Sequence, residues 1–162
     1  MRHTQKRAIS MLLLGLLAFV SLARATPAPE AVFNTDQGSL RLADLRGKVV
    51  YLDFWAAWCS PCRSSFPWMN EMHARYADKG LVVLAVNLDK DPKELKAFLA
   101  QMPAQFRLAY DPQGKVAEQY QLKGMPSSYL IDRQGQIQQV HVGFRDKDKA
   151  ELEAVIRQMI AK

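Results

Sequence analysis

Two apolar runs constrain this chain more than anything else in it: residues 49–55 (VVYLDFW) and 81–88 (LVVLAVNL). A strand that is apolar at nearly every position has no face to give to water, so it must be buried on both sides. The segment between them, residues 60–78, carries Phe66, Met69, His73 and Tyr76 at helical spacing, which predicts a strand–helix–strand unit. Further helices are expected over 93–102, with Leu95, Phe98, Leu99 and Met102 on one face, over 115–120, and over 147–161. A strand is expected over 106–110, ended by Asp111-Pro112-Gln113-Gly114. An antiparallel pair is expected over 127–131 and 136–142, joined at Arg133-Gln134-Gly135. An N-terminal hairpin, 31–34 with 40–42, fits the turn signal Asp36-Gln37-Gly38-Ser39. Strands alternating with helices call for an α/β domain, a mainly parallel sheet covered on both faces. Nothing divides residues 26–162, and TPAPE at 26–30 is expected to be a Pro-rich leader.

The first 25 residues have a different character. Three positive charges lie within Met1 to Arg7, followed by 15 uncharged residues, Ala8 to Leu22, and then Ala23-Arg24-Ala25. A basic start, an apolar run and a small-x-small site are the three parts of a secretory signal, with cleavage expected after Ala25. The run is shorter than the roughly 20 residues that span a bilayer comfortably. The rival reading is an uncleaved anchor, which would be the only membrane contact. The charge balance supports this division. Of 22 Lys and Arg, four precede residue 26, and none of the 16 Asp and Glu does. The net charge of +6 is therefore mostly a property of the leader, and no nucleic-acid partner is expected. Export would put the domain where disulfides form and persist.

Both cysteines of the chain lie in Trp58-Cys59-Ser60-Pro61-Cys62, between a buried strand and a helix start. A thiol at the first turn of a helix meets the positive end of the macrodipole, which favours thiolate. Two intervening residues let the sulfurs reach each other, so a mixed disulfide at Cys59 can be resolved by Cys62. Zinc needs four ligands, and two Cys with three His, one of them in the leader, are a poor source. Haem attachment needs C-x-x-C-H, and position 63 is Arg. A purely structural disulfide would close a loop too small to stabilise much. A redox pair is the expectation, with no cofactor and no metal.

The run Tyr51 to Cys62 (YLDFWAAWCSPC), Pro67, and Gly124-Met125-Pro126 resemble the active-site strand, turn and cis-proline segment of thioredoxin-fold proteins. The N-terminal hairpin, the leader, the inserted helix–strand segment near 91–111 and Ile131-Asp132-x-x-Gly135 are similar to the exported TlpA/ResA-like branch. The resemblance covers about residues 31–160. It implies a thioredoxin fold, a mixed central sheet flanked by helices, and a thiol–disulfide oxidoreductase. It also implies residue roles. Cys59 is the attacking sulfur and Cys62 the buried resolving one. Asp53 is the buried acid assisting proton transfer at Cys62, against the alternative of a strand-edge carboxylate. Pro126 is cis, placing the Met125 backbone against a substrate segment, and Trp58 shields the disulfide and contacts substrate.

The sequence also departs from the family pattern. Ala85 stands where thioredoxins have a neighbouring Lys, Ser60 where ResA-type proteins have Glu, and Ser127 where the cytochrome c maturation branch has an acid. Ala56 and Leu52 occupy the Thr and Pro positions of the peroxiredoxin motif, which argues against peroxidase activity. The expected function is extracytoplasmic reduction of disulfides in exported proteins, in the periplasm, with recharging by a membrane electron donor of the DsbD kind. A disulfide oxidant or isomerase, or a thioredoxin-fold binding module or chaperone, are the alternatives. Arg145-Asp146-Lys147-Asp148-Lys149 is expected to be a solvated cap, and His73 and His141, with no partner visible in sequence, to be ordinary surface or core histidines.

Overall fold

The computed structural model describes residues 26–162; the expected signal segment, 1–25, lies outside them. Eight strands form one sheet: β1 (Thr26–Pro27), β2 (Val32–Thr35), β3 (Gly38–Arg41), β4 (Val49–Trp55), β5 (Leu81–Asn87), β6 (Arg107–Tyr110), β7 (Ser127–Ile131) and β8 (Gln136–Val142). Their spatial order is β1-β8-β7-β4-β5-β6-β2-β3. β4, β5 and β6 run parallel, and β7 and β8 join antiparallel beside β4. The sheet is therefore mixed, and both apolar runs lie in its centre.

Alternation along β4 sends side chains to two cores. Val49, Tyr51 and Trp55 pack under α1 (Ser60–Tyr76), α2 (Pro92–Gln101) and α4 (Lys149–Ile160), with Phe66, Met69, Phe98 and Ile156 among their partners. Val50, Leu52 and Phe54 face the opposite core, with α3 (Lys115–Gln119), Tyr120, Tyr129 and the N-terminal Phe33 and Leu42. Local signals set the element ends. Asp91 caps α2 by accepting from Lys93 N–H at 2.8 Å, ahead of Pro92 in the first turn. Buried Asp111 accepts from the N–H groups of Lys115, Val116 and Ala117 at 2.9–3.0 Å, which holds α3 although it is only five residues long. Gly135 turns β7 into β8 at φ +75°, a left-handed backbone that other residues rarely adopt.

Two expectations need correction. The leader at 26–30 is not wholly irregular, because Thr26 and Pro27 pair with Ile137 and Gln136 as an edge strand, where proline is tolerated. The 145–149 run is not simply a solvated cap. Asp148 is buried, accepts from Arg145 N–H at 3.0 Å and Nε at 3.1 Å, and ends a short 3-10 turn at 146–148 that precedes α4. His141, whose surroundings the sequence does not show, places Nε2 3.3 Å from Asp148 Oδ2, at ion-pair distance though without hydrogen-bond geometry. No helix among the described residues is long and apolar enough to cross a membrane.

Candidate active site

β4 delivers the chain into a tight turn. Leu88 N–H donates to Trp55 C=O at 2.9 Å, and Cys59 N–H to Ala56 C=O at 3.1 Å. Cys59 is the N-cap of α1, with extended φ −81° and ψ 104°, and Pro61 lies in the first turn. Side chains at a cap accept from the second or third helical N–H. Pro61 has none to offer, and Cys62 N–H donates to Cys59 C=O at 3.1 Å, so the Cys59 side chain makes no cap hydrogen bond. Cys59 and Cys62 form a disulfide with S–S 2.05 Å and Cα–Cα 5.3 Å.

The two residues are not equally accessible. Cys62 is 0% exposed and Cys59 4%. In the oxidised form Cys62 is buried, and so is Cys59. The disulfide draws it against the core that contains Tyr51, Trp55 and Phe66. Trp58, by contrast, is 66% exposed.

Asp53 is not at a strand edge. It is 1% exposed, between β5 and β7, directly opposite Ala85 on one side and Ser128 on the other. It shares its face of β4 with Tyr51 and Trp55, which contact Trp68 and Phe66 of α1 at ring separations of 5.3 and 4.5 Å. Asp53 therefore lies under the helix that carries Cys62. Its Oδ2 has no hydrogen-bond partner, and neither has the indole N–H of Trp55. Burial pushes the Asp53 carboxyl well above the usual carboxylate range. Tyr51 is raised as well, by its own burial first and then by the charge of Asp53.

The Met125–Pro126 peptide bond is cis. The loop is tied down by Gly143 N–H donating to Pro126 C=O at 2.8 Å, and by the Ser127 hydroxyl donating to Gly124 C=O at 2.7 Å. Ser127 pairs with Phe54 near the end of β4, which puts Pro126 at the same end of the sheet as the cysteine turn. Among the described residues, the Met125 backbone enters no hydrogen bond, and its side chain packs against the core that holds both cysteines.

Two residues not anticipated from sequence hold the turn. Buried Asp89 accepts from Ala57 N–H with both oxygens, at 3.1 and 2.8 Å, and from the Asn87 side-chain amide at 2.7 Å. Asn87 returns the interaction by accepting from Asp89 N–H at 3.1 Å. The signal available was an Asn and an Asp closing an otherwise apolar strand. The inserted helix contributes too. Phe98 of α2 meets Trp55 and Phe66, each at 4.8 Å, and walls a groove of about 270 Å³ beside Trp58.

This arrangement can perform thiol–disulfide exchange, and the comparisons with known proteins agree. The profile of the family described as Redoxin matches residues 23–156. ResA, a thiol-disulfide oxidoreductase of Geobacillus kaustophilus, is 30% identical over 93% of this chain and 92% of its own. ResA of Oceanobacillus iheyensis is 35% identical over 73% of this chain, which spans 62% of that relative's length. A crystal structure of a Chlorobium tepidum protein, assigned as thiol:disulfide interchange protein DsbE, superposes with a TM-score of 0.81. It is 50% identical, over 86% of this chain and 99% of that one. Cys pair, buried acid, cis-proline loop and kinship thus converge, and the chain belongs to the Redoxin family as a thioredoxin-fold, ResA-like thiol–disulfide oxidoreductase with Cys59 and Cys62 as its redox pair.

Proposed function

We propose that the protein works outside the cytoplasm as a dithiol reductant of disulfides in exported proteins. The observation that carries this reading is the disulfide-bonded pair at the start of α1, Cys59 4% exposed and Cys62 fully buried, above a buried carboxylate with an unpartnered oxygen. In the reduced protein the Cys59 thiolate attacks one sulfur of a substrate disulfide, and the first substrate thiolate leaves and takes a proton. Cys62 gives its proton to Asp53 and attacks the Cys59 sulfur, which releases the second substrate thiol. Two electrons have passed to the substrate, and the protein is left with the Cys59–Cys62 disulfide. Asp53 suits the proton transfer because its raised pKa lies nearer the working pH than that of an exposed carboxylate. The unpaired Met125 backbone suits alignment of an extended substrate segment, and Trp58 suits contact with it.

The signal-like leader supports export to the periplasm, with membrane contact confined to that leader if it stays uncleaved. A membrane electron donor of the DsbD kind would return the two electrons. The test is the potential of the Cys59–Cys62 couple, equilibrated against a thiol buffer, together with reduction of insulin. A reductant lies near the value of about −270 mV held by thioredoxin and reduces insulin. A value near about −120 mV would make the protein an oxidant, and an inert disulfide would make it a binding module.

A further inference from the structure

The groove beside the disulfide has its own charge pattern. One wall is Trp58 and Arg63, next to the cysteines, and the other is α2, with Glu94, Ala97, Phe98 and Gln101. Arg63 is held in place: Nη2 donates to Gln101 Oε1 at 3.3 Å, and the guanidinium lies 5.1 Å from the centre of the Phe98 ring. Among the described residues no carboxylate is within ion-pair distance of Arg63, and no cation within that distance of Glu94. Gln101 and Glu94 are seven residues apart on one helix, so they are separated by about 10 Å along its axis. The groove is therefore cationic at the Gln101 end, anionic at the Glu94 end and apolar between them. About 10 Å is also the length of three extended residues.

We propose that this groove selects the peptide segment beside the substrate's reactive cysteine, and that it fits an extended acidic–apolar–apolar–basic stretch read in one direction. The acidic side chain pairs with Arg63, the basic one with Glu94, and the apolar pair covers Phe98, Ala97 and the face of Trp58. Charge complementarity at both ends, with aromatic surface between, makes it a specificity site for polypeptide substrates. This inference rests on the exchange reaction proposed above.

Short peptides with a single cysteine, linked as a mixed disulfide to 5-thio-2-nitrobenzoate, test it. One has Glu-Leu-Leu-Lys after the cysteine and another Lys-Leu-Leu-Glu; a second pair carries the same stretches before it. The reduced protein's Cys59 thiolate attacks the peptide sulfur and expels the yellow thiolate; Cys62 then releases the peptide thiol. Within each pair composition and net charge are equal, so changes in Cys59 reactivity and long-range attraction cancel in the ratio of rates. Two partly exposed ion pairs correspond to about a fivefold preference for one order, on at least one side of the cysteine. Arg63→Gln and Glu94→Gln should each reduce it to about twofold, and the double exchange Arg63→Glu with Glu94→Arg should invert it. Equal rates for both orders on both sides, or a preference unmoved by the double exchange, would overturn the inference. If no peptide and no small neutral disulfide such as hydroxyethyl disulfide is reduced, the exchange reading itself fails.

Discussion

Replacing Asp53 by Asn keeps the shape of the side chain and removes its charge. The carboxyl is 1% exposed with one oxygen unpartnered, and burial raises its pKa. The raised pKa sets the direction of the stability change. In the unfolded chain Asp53 ionises near about pH 3.9, whereas in the native protein it holds its proton to higher pH. The native state therefore binds more protons between these values, and wild-type stability falls as pH rises through that window. One proton of difference corresponds to about 1.4 kcal/mol per pH unit. Asp53→Asn lacks this slope, so its advantage over wild type should be smallest below about pH 4 and grow as pH rises, levelling off above the native pKa. Denaturant unfolding of the oxidised proteins at a series of pH values measures it. The same variant should slow resolution of the mixed disulfide by about tenfold or more, while attack by Cys59 changes little. Stopped-flow kinetics of the two steps separate these. A variant that is less stable than wild type at pH 7 and resolves at the wild-type rate would refute the reasoning and leave Asp53 a structural carboxylate.

Cys62→Ala should accumulate covalent adducts through Cys59, seen as bands that disappear on reduction; trapping by Cys59→Ala instead would reverse the two roles. Asp89→Ala leaves the Ala57 N–H and the Asn87 amide without their acceptor, at a cost of about 1–3 kcal/mol in unfolding free energy. It should slow exchange with small disulfides too, because the turn carrying Cys59 loses its support. Phe98→Ala removes a buried ring in contact with Trp55 and Phe66 and should cost about 3–5 kcal/mol, read from a denaturation curve.

The central strands, the helix starts and the cysteine pair were legible in sequence because each depends on local chemistry. Seven residues without a solvent face can only be a buried strand, and the i, i+3, i+4, i+7 spacing from Leu95 to Met102 marks a helix unaided. Asp53 was legible for the opposite reason, as a charge inside an apolar run. The support of the turn was not legible. Asp89 reaches Ala57, and Arg63 reaches Gln101, across separations that only the folded sheet closes. Asp148 looked like one charge among several at 145–149, and only the packing of β8 against the start of α4 shows that it is buried beside His141. Thr26 and Pro27 carry too weak a strand signal to be read without β8 beside them.

The order of strands in the sheet also bears on how the protein is made. β4 has neighbours from two remote parts of the chain: Ala85 stands beside Asp53 on one side and Ser128 on the other. Contacts between such distant positions form slowly, because the chain between them must first be ordered. A chain emerging from its N-terminus presents Cys59 and Cys62 well before residues 127–131 exist to cover the open flank of β4. Asp53 gains Ser128 as its neighbour only when β7 docks, so the enclosure of the carboxyl is completed late. The nascent chain can thus carry both thiols before the carboxyl beneath them is enclosed.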